Sequence, residues 1–319
     1  MQAIRIHEFG EPEVLKLEEV PEPKPGPGQV LVKVHAVGVN PYEAYMRAGA
    51  YAAPPLPYTP GHDAAGVVEA VGAGVKAVAP GDRVYTSQTL TGAYAEMTLC
   101  LEPQVHPLPE RVSFAQGAGV SVPYAAAYRA LFQRARAMAG EVLLVHGASG
   151  GVGTAAVQLA RAAGLTVIGT AGTDKGRRLA AEQGAHHVLD HDKDGYLQEA
   201  MMITENRGVD VVLELLANVN LGHDLEILAT GGRIAVIGSR GTVTVDPRFT
   251  MMKEATIVGM TVWGATDKEV RAIYAALGAG LANGTLTPVV GRELPLAEAA
   301  RAHHDIMEKK AYGKIILIP

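Results

Sequence analysis

Residues 141–153 read Glu141-Val142-Leu143-Leu144-Val145-His146-Gly147-Ala148-Ser149-Gly150-Gly151-Val152-Gly153. A short apolar run enters a turn of small residues here, and a helix-like stretch over 154–163 leaves it. Gly150 and Gly153 hold the second and third places of a G-x-G-x-x-G pattern, with Ala148 in the first. Absence of a Cβ at those places lets a pyrophosphate approach the backbone and lets the helix pack on the strand. A glycine pattern alone is weak, but this one stands in strand–turn–helix order, and a second apolar run at 165–169 follows about twenty residues on. The segment predicts a dinucleotide site. Ser149, Gly150, Gly151 and Val152 should hold the pyrophosphate with the N–H groups and positive end of a helix.

Outward from this turn, apolar runs at 142–146, 165–171, 187–189, 209–215 and 232–238 alternate with helical stretches. Such alternation predicts a parallel, doubly wound sheet covered by helices on both faces. Residues 1 to about 110 differ: short β-rich runs at 30–34 and 65–71 are broken by proline and glycine, as in the connector 21–28. Beyond residue 261, helices at 268–282 and 296–307 precede a last strand at 314–318. These are expected to return to the first domain.

At 319 residues the chain has length for about two domains. Its 28 basic and 33 acidic residues leave a net charge of −5 with no block of like charge, which argues against a dedicated nucleic-acid binder. The one cysteine, Cys100, excludes an internal disulfide and a cysteine-rich structural zinc site, and fits a reducing, cytoplasmic compartment. The first residues lack the apolar core of a signal peptide, and no run approaches a membrane span, so a soluble protein is expected.

The chain resembles the medium-chain dehydrogenase/reductase superfamily and, within it, the zeta-crystallin-like NADPH:quinone oxidoreductases. The resemblance runs along the whole chain. It is carried by Gly38-Val39-Asn40-Pro41, Pro57-Tyr58-Thr59-Pro60-Gly61, Gly81-Asp82-Arg83-Val84, the glycine turn, Gly169-Thr170-Ala171-Gly172-Thr173, Leu216-Ala217-Asn218-Val219-Asn220-Leu221 and Gly238-Ser239-Arg240-Gly241. The last two are the more specific. The resemblance implies a GroES-like β-rich catalytic domain over 1–120 and 262–319, a Rossmann domain with a doubly wound parallel sheet over 121–261, and a nicotinamide in the cleft between them. It also implies a homodimer or homotetramer joined sheet edge to sheet edge, for which 242–245 is a candidate edge strand.

An enzyme of NAD usually carries an acidic residue at the end of the second strand, where this chain has Gly169-Thr170-Ala171-Gly172. Lys175, Arg177 and Arg178 follow, able to pair with a 2′-phosphate, and Asp174 is read as a helix cap. NADPH is the cofactor expected. The resemblance adds Tyr45, Gly172, His191, Asn220, the turn Ile237, Gly238, Ser239 and Arg240, and a strand Met260, Thr261 and Val262 beside the nicotinamide.

Zinc-dependent relatives hold their metal with two cysteines and the histidine of a Gly-His-Glu segment. Here Gly61-His62-Asp63 keeps the histidine, Asn40 stands near the first cysteine's place, and the region of Ser121 supplies no second cysteine. One imidazole and a carboxylate are too few soft ligands for a tight zinc, so no metal is expected. Without a Lewis acid the acceptor must itself be electrophilic, as a quinone or an activated enone is. Asn40 and Tyr45 are then the candidate catalytic residues, setting polar groups at the edge of a cleft in which positioning dominates. The first reading is zinc-independent reduction of quinones by NADPH. An enoyl or enone reductase, and a binding role like that of relatives that bind AU-rich RNA or serve as lens crystallins, remain as alternatives.

Overall fold

A computed structural model describes all 319 residues, which divide into two compact units: 1–122 with 278–319, and 123–277. The return to the first unit thus falls inside a long helix rather than at 261/262. Residue 262 opens a short 3-10 turn, and Arg129 binds the backbone at Thr261 and Gly264, which ties this stretch to the central unit.

The outer unit is built on strands β1 (Gln2–Arg5), β2 (Lys16–Glu19), β3 (Gln29–Gly38), β4 (Asp63–Val71), β5 (Arg83–Thr86), β6 (Met97–Leu101) and β7 (Val105–Pro107). Two further strands, β14 (Val290–Pro295) and β15 (Lys314–Ile318), come from the far end of the chain. β1 and β2 form a hairpin-like pair, and the rest make one sheet in the order β14-β15-β3-β4-β5-β7, with β6 also on β3. β15 runs antiparallel to β3, which joins the chain ends. Ile4, Ile6, Val34, Val37 and Val39 pack there with Leu294, Ala299 and Leu317 in one core. The short helices α1 (Pro41–Arg47) and α2 (Phe114–Gly117) follow β3 and β7 in the chain, and α10 (Ala299–Glu308) lies between β14 and β15.

In the central unit, α3 (Ser121–Tyr128) runs into a π-helical turn at Arg129–Arg134. Strands β8 (Val142–Val145), β9 (Thr166–Thr170), β10 (His187–Leu189), β11 (Val209–Glu214), β12 (Leu228–Val236) and β13 (Thr256–Gly259) then alternate with α4 (Gly151–Ala162), α5 (Asp174–Glu182), α6 (Tyr196–Ile203), α7 (Ala217–Ile227) and α8 (Pro247–Lys253). α9 (Asp267–Asn283) follows β13. All six strands are parallel in the order β10-β9-β8-β11-β12-β13. Apolar residues covered on both faces, such as Leu143, Leu144, Val145, Val212 and Leu213, are what a parallel sheet flanked by helices requires. The strand order reverses between β8 and β11, so a crevice opens beyond their carboxyl ends, where open α/β sheets take ligands.

The segment 242–245 is not the edge strand. It lies between the turn at 239–241 and the Asp246 cap with Pro247 that opens α8, and it pairs with nothing. β13 is the outer strand instead. No helix is long and apolar enough to cross a membrane.

Candidate active site

The glycine turn takes the form expected of it. Gly147 has φ +61°, and Gly150 is the N-cap of α4 with no side chain closing the cap. A Cβ on Gly153 would lie 2.2 Å from the Gly147 carbonyl oxygen and 2.7 Å from Ala148 Cα, so only glycine lets the helix start so close to the turn. Gly169 is similar, since a Cβ there would meet that of Ala148 at 2.8 Å. The first N–H groups of α4, at Gly151 and Val152, thus stand at the crevice with the positive end of the helix, and Ser149 is buried beside them.

After β9, Gly172 leads into α5, whose N-cap is Thr173, with its hydroxyl accepting from Gly176 N at 3.0 Å. Asp174 is therefore not the cap. It is the first helical residue, where an acidic charge suits the helix dipole, and it pairs with Arg177. Arg177 also pairs with Asp190 at 2.8 Å, so its charge is spent within the unit, while Lys175 and Arg178 are exposed on the same helix. His191 Nδ1 lies 3.1 Å from the Thr170 hydroxyl, at the end of the neighbouring strand.

On the other side of the reversal, β11 ends in Glu214, fully buried. Its Oε1 accepts from Leu216 N and, at 3.3 Å, from Asn220 Nδ2, so one carboxylate holds both the turn and the asparagine. Its backbone oxygen accepts from Ile237 N at 2.8 Å and Gly238 N at 3.3 Å. Asn218 Oδ1 takes Arg240 N at 2.8 Å, and Ser239 donates to the Gly241 carbonyl at 2.9 Å. Glu214 also faces His146, the last residue before the glycine turn, at 3.5 Å, and His146 Nε2 lies 2.7 Å from Asp224 Oδ1 on α7. Burial pushes both carboxyls upward and His146 downward, which favours the uncharged form of each. Met260, Thr261 and Val262 are not a strand: β13 stops at Gly259, and Val262 enters a 3-10 turn. Arg129 fixes that turn, donating to Thr261 O at 3.1 Å and Gly264 O at 2.9 Å and pairing with Glu269 at 2.9 Å.

In the outer unit, Asn40 caps α1 and Glu43 reaches back to Asn40 N at 2.9 Å. Asn40 is 3% exposed, and its amide is consumed by Glu43 Oε1 at 3.2 Å, Asp63 Oδ2 at 3.0 Å and the Lys314 ammonium. It therefore offers no polar group at a cleft edge. It holds Glu43, whose Oε1 lies 3.1 Å from His62 Nδ1. Tyr45 meets Tyr51 edge to face at 5.3 Å, and Tyr42 meets both Tyr51 at 5.9 Å and His62 at 5.5 Å, which sets His62 against an aromatic cluster. His62 also lines a cavity of about 290 Å³ with Tyr58, Thr59, Thr89 and Leu90.

Sequence reasoning missed Glu43, Asp63, Lys314, Arg129, Glu214 and Asp224. Glu43 carried a readable signal, since an acidic residue three places after an Asn-Pro helix start is a capping pattern. Nothing local marks Lys314 or Asp224, which act on residues far away in the chain.

The alcohol dehydrogenase GroES-like domain family matches residues 26–110, and the zinc-binding dehydrogenase family matches 151–277. The human protein named quinone oxidoreductase is 50% identical over 321 aligned residues, covering 100% of this chain and 98% of that protein. Among solved structures, Escherichia coli quinone oxidoreductase complexed with NADPH superposes with a TM-score of 0.92 at 30% identity over 100% of both chains. An NAD-dependent alcohol dehydrogenase gives 0.93 at 30% identity, again over 100% of both chains. This chain belongs to the quinone oxidoreductase family of the medium-chain dehydrogenases and reductases.

Proposed function

We propose that the protein is an NADPH:quinone oxidoreductase that works without zinc. The observation that carries this reading is the glycine cradle at the head of α4, where a Cβ on Gly153 would overlap the turn, in a chain half identical from end to end to human quinone oxidoreductase. Bound there, NADPH supplies the hydride. The α4 N-terminus holds the pyrophosphate, and Lys175 and Arg178 favour a 2′-phosphate. Glu214 orients Asn220 and the turns at 215–218 and 237–240, while Arg129 fixes 261–264.

The residues present do not fit a catalytic zinc. Cys100, the lone thiol, is buried in a separate apolar core, where burial pushes it up to about 12. His62 is committed to Glu43, and the Lys314 ammonium lies beside Asn40 and Asp63, where it repels a second cation. Reduction therefore needs an acceptor that is electrophilic by itself, and a quinone gains aromaticity on reduction. A homodimer or homotetramer is supported by the outer strand β13, with Ile257 40% exposed and Met251 and Met252 exposed on α8. A reducing, cytoplasmic location is supported by the single unpaired cysteine.

Initial rates of NADPH and NADH oxidation, with chelator present, test the reading against an ortho-quinone, a para-quinone and a conjugated enone. Quinone turnover that prefers NADPH and ignores the chelator is expected. Turnover of the enone alone would move the protein to ene reduction, and loss on chelation would return His62 to metal binding. An RNA probe displaced by NADPH in the absence of any turnover would indicate a binding role.

A further inference from the structure

Three ionisable side chains lie buried together where the strand order reverses between β8 and β11. His146 follows β8, Glu214 ends β11 and Asp224 is on α7, and one polar atom from each lies within 4.8 Å of the others. His146 Nε2 is 2.7 Å from Asp224 Oδ1 and 3.5 Å from Glu214 Oε2, so its one N–H goes to Asp224. Glu214 Oε1 is filled by Leu216 N and Asn220 Nδ2. That leaves Glu214 Oε2 and Asp224 Oδ2 buried with no donor. Tyr196 from α6 stands edge-on to His146 at 6.3 Å, and no lysine or arginine pairs with either acid.

This inference rests on the reading that the crevice beyond β8 and β11 holds the cofactor. We propose that Glu214 and Asp224 share one proton and act as positioning residues that hold the cofactor tightly only while they keep it. With the proton on either acid, its O–H donates to the orphaned oxygen of the other, so a single hydrogen satisfies both. The two carboxyls approach closely enough for that bond, and burial raises both of them. With no proton, two like charges face each other in a buried space. A divalent ion fits less well. Ligand atoms about 2.0–2.2 Å from one ion stand about 3 Å apart, whereas His146 and Asp224 meet at 2.7 Å.

The proton matters to the cofactor for two reasons. The trio grips both banks of the crevice: His146 leads into Gly147 and the glycine turn, while Glu214 holds Leu216 N and Asn220 with its side chain and Ile237 N and Gly238 N with its backbone oxygen. Repulsion between the acids would move these groups. The pyrophosphate is also anionic, and a second negative charge buried beside the glycine turn opposes it where screening is weak. Both effects have the same sign, so a bound cofactor strengthens the pair's hold on its proton. Above the pH at which the free protein loses that proton, binding takes one from solvent and weakens as pH rises. Tyr196 does not add a charge over this range, because burial and then the two acids raise its hydroxyl.

The test measures Kd for NADPH and NADH by fluorescence from about pH 7 to about 9.5, above the 2′-phosphate's own titration near about pH 6. Calorimetry in buffers of different ionisation enthalpy reads the proton uptake. Wild type should lose on the order of tenfold in affinity for both cofactors as pH passes about 8, and take up close to one proton per cofactor bound above it. Glu214→Gln and Asp224→Asn each carry an amide that donates to the remaining carboxylate at any pH, and so stand for the protonated pair. Each should give a Kd that is flat in pH, with no proton uptake, and should bind more tightly than wild type at the alkaline end, which a loss of packing would not produce. If one variant does not fold, the other decides. Folded variants that keep the wild-type slope, or a wild-type Kd that ignores pH, overturn the proposal. So does a stoichiometric divalent ion found in wild type and lost in the variants. If wild type binds neither cofactor at neutral pH, the cofactor reading itself fails and takes this one with it.

Discussion

Lys314 Nζ lies 3.3 Å from Asp63 Oδ2 with both side chains buried, 251 positions apart in the chain. Asn40 sits between them, donating to Asp63 and accepting from Lys314. Through Asn40 this pair is connected to Glu43 and then to His62, so the final strand of the chain braces the polar side of α1.

Replacing Lys314 with Met should therefore cost about 3–5 kcal/mol, because it leaves the Asp63 charge buried without its cation. Burial already pushes Asp63 upward, and Lys314 is the main influence drawing it back. Denaturant unfolding at neutral pH checks the loss. Asp63→Asn in the same background should recover part of it, and a double variant no more stable than Lys314→Met alone would show that the two charges are not coupled.

Gly153→Ala should remove cofactor binding before it removes the fold. The new methyl would stand 2.2 Å from the Gly147 oxygen, and that turn is the cradle itself. Overpacking of this kind costs about 1–3 kcal/mol, so the protein should fold with a lowered Tm. Fluorescence titration should show NADPH affinity reduced by about tenfold or more, a loss that an intact turn would not give.

Lys175→Ala and Arg178→Ala should each weaken NADPH while leaving NADH unchanged, since a charge-assisted contact is worth about 1.5–3 kcal/mol. Arg177→Ala is expected to behave differently. It breaks pairs with Asp174 and Asp190, so its main effect should be on stability, with NADPH and NADH affected alike. Paired Kd measurements for the two cofactors separate these outcomes.

What was legible in the sequence followed from local pattern. Apolar runs with glycine between them placed β8, β9 and the head of α4, because a buried parallel strand and a tight turn impose strong local demands. The alternation at 242–245 misled, since Thr and Val fit a strand only where a neighbour offers a ladder, and Asp246-Pro247 starts a helix at once. The role of Asn40 was missed for another reason. Its partners, Asp63 and Lys314, are set by the pairing of β3 with β4 and β15, and side-chain partners across a sheet leave no trace in spacing.

The acids around His146 predict how stability depends on pH. Burial raises Glu214 and Asp224 above the ordinary carboxylate range, Glu214 to about 8, so the folded protein keeps a proton that the unfolded chain releases near pH 4. The native state then binds more protons than the unfolded state, and stability falls as pH rises, by about 1.4 kcal/mol per pH unit for one retained proton. The fall begins above the unfolded pKa and is complete once pH passes the folded one, so it should span the range from about pH 4 to about 8. Glu214→Gln keeps the acceptor for Leu216 N and Asn220 Nδ2 without a titrating proton. Denaturant unfolding across this range should show a shallower decline in the variant than in wild type. Equal slopes would mean that Glu214 holds no extra proton in the folded protein.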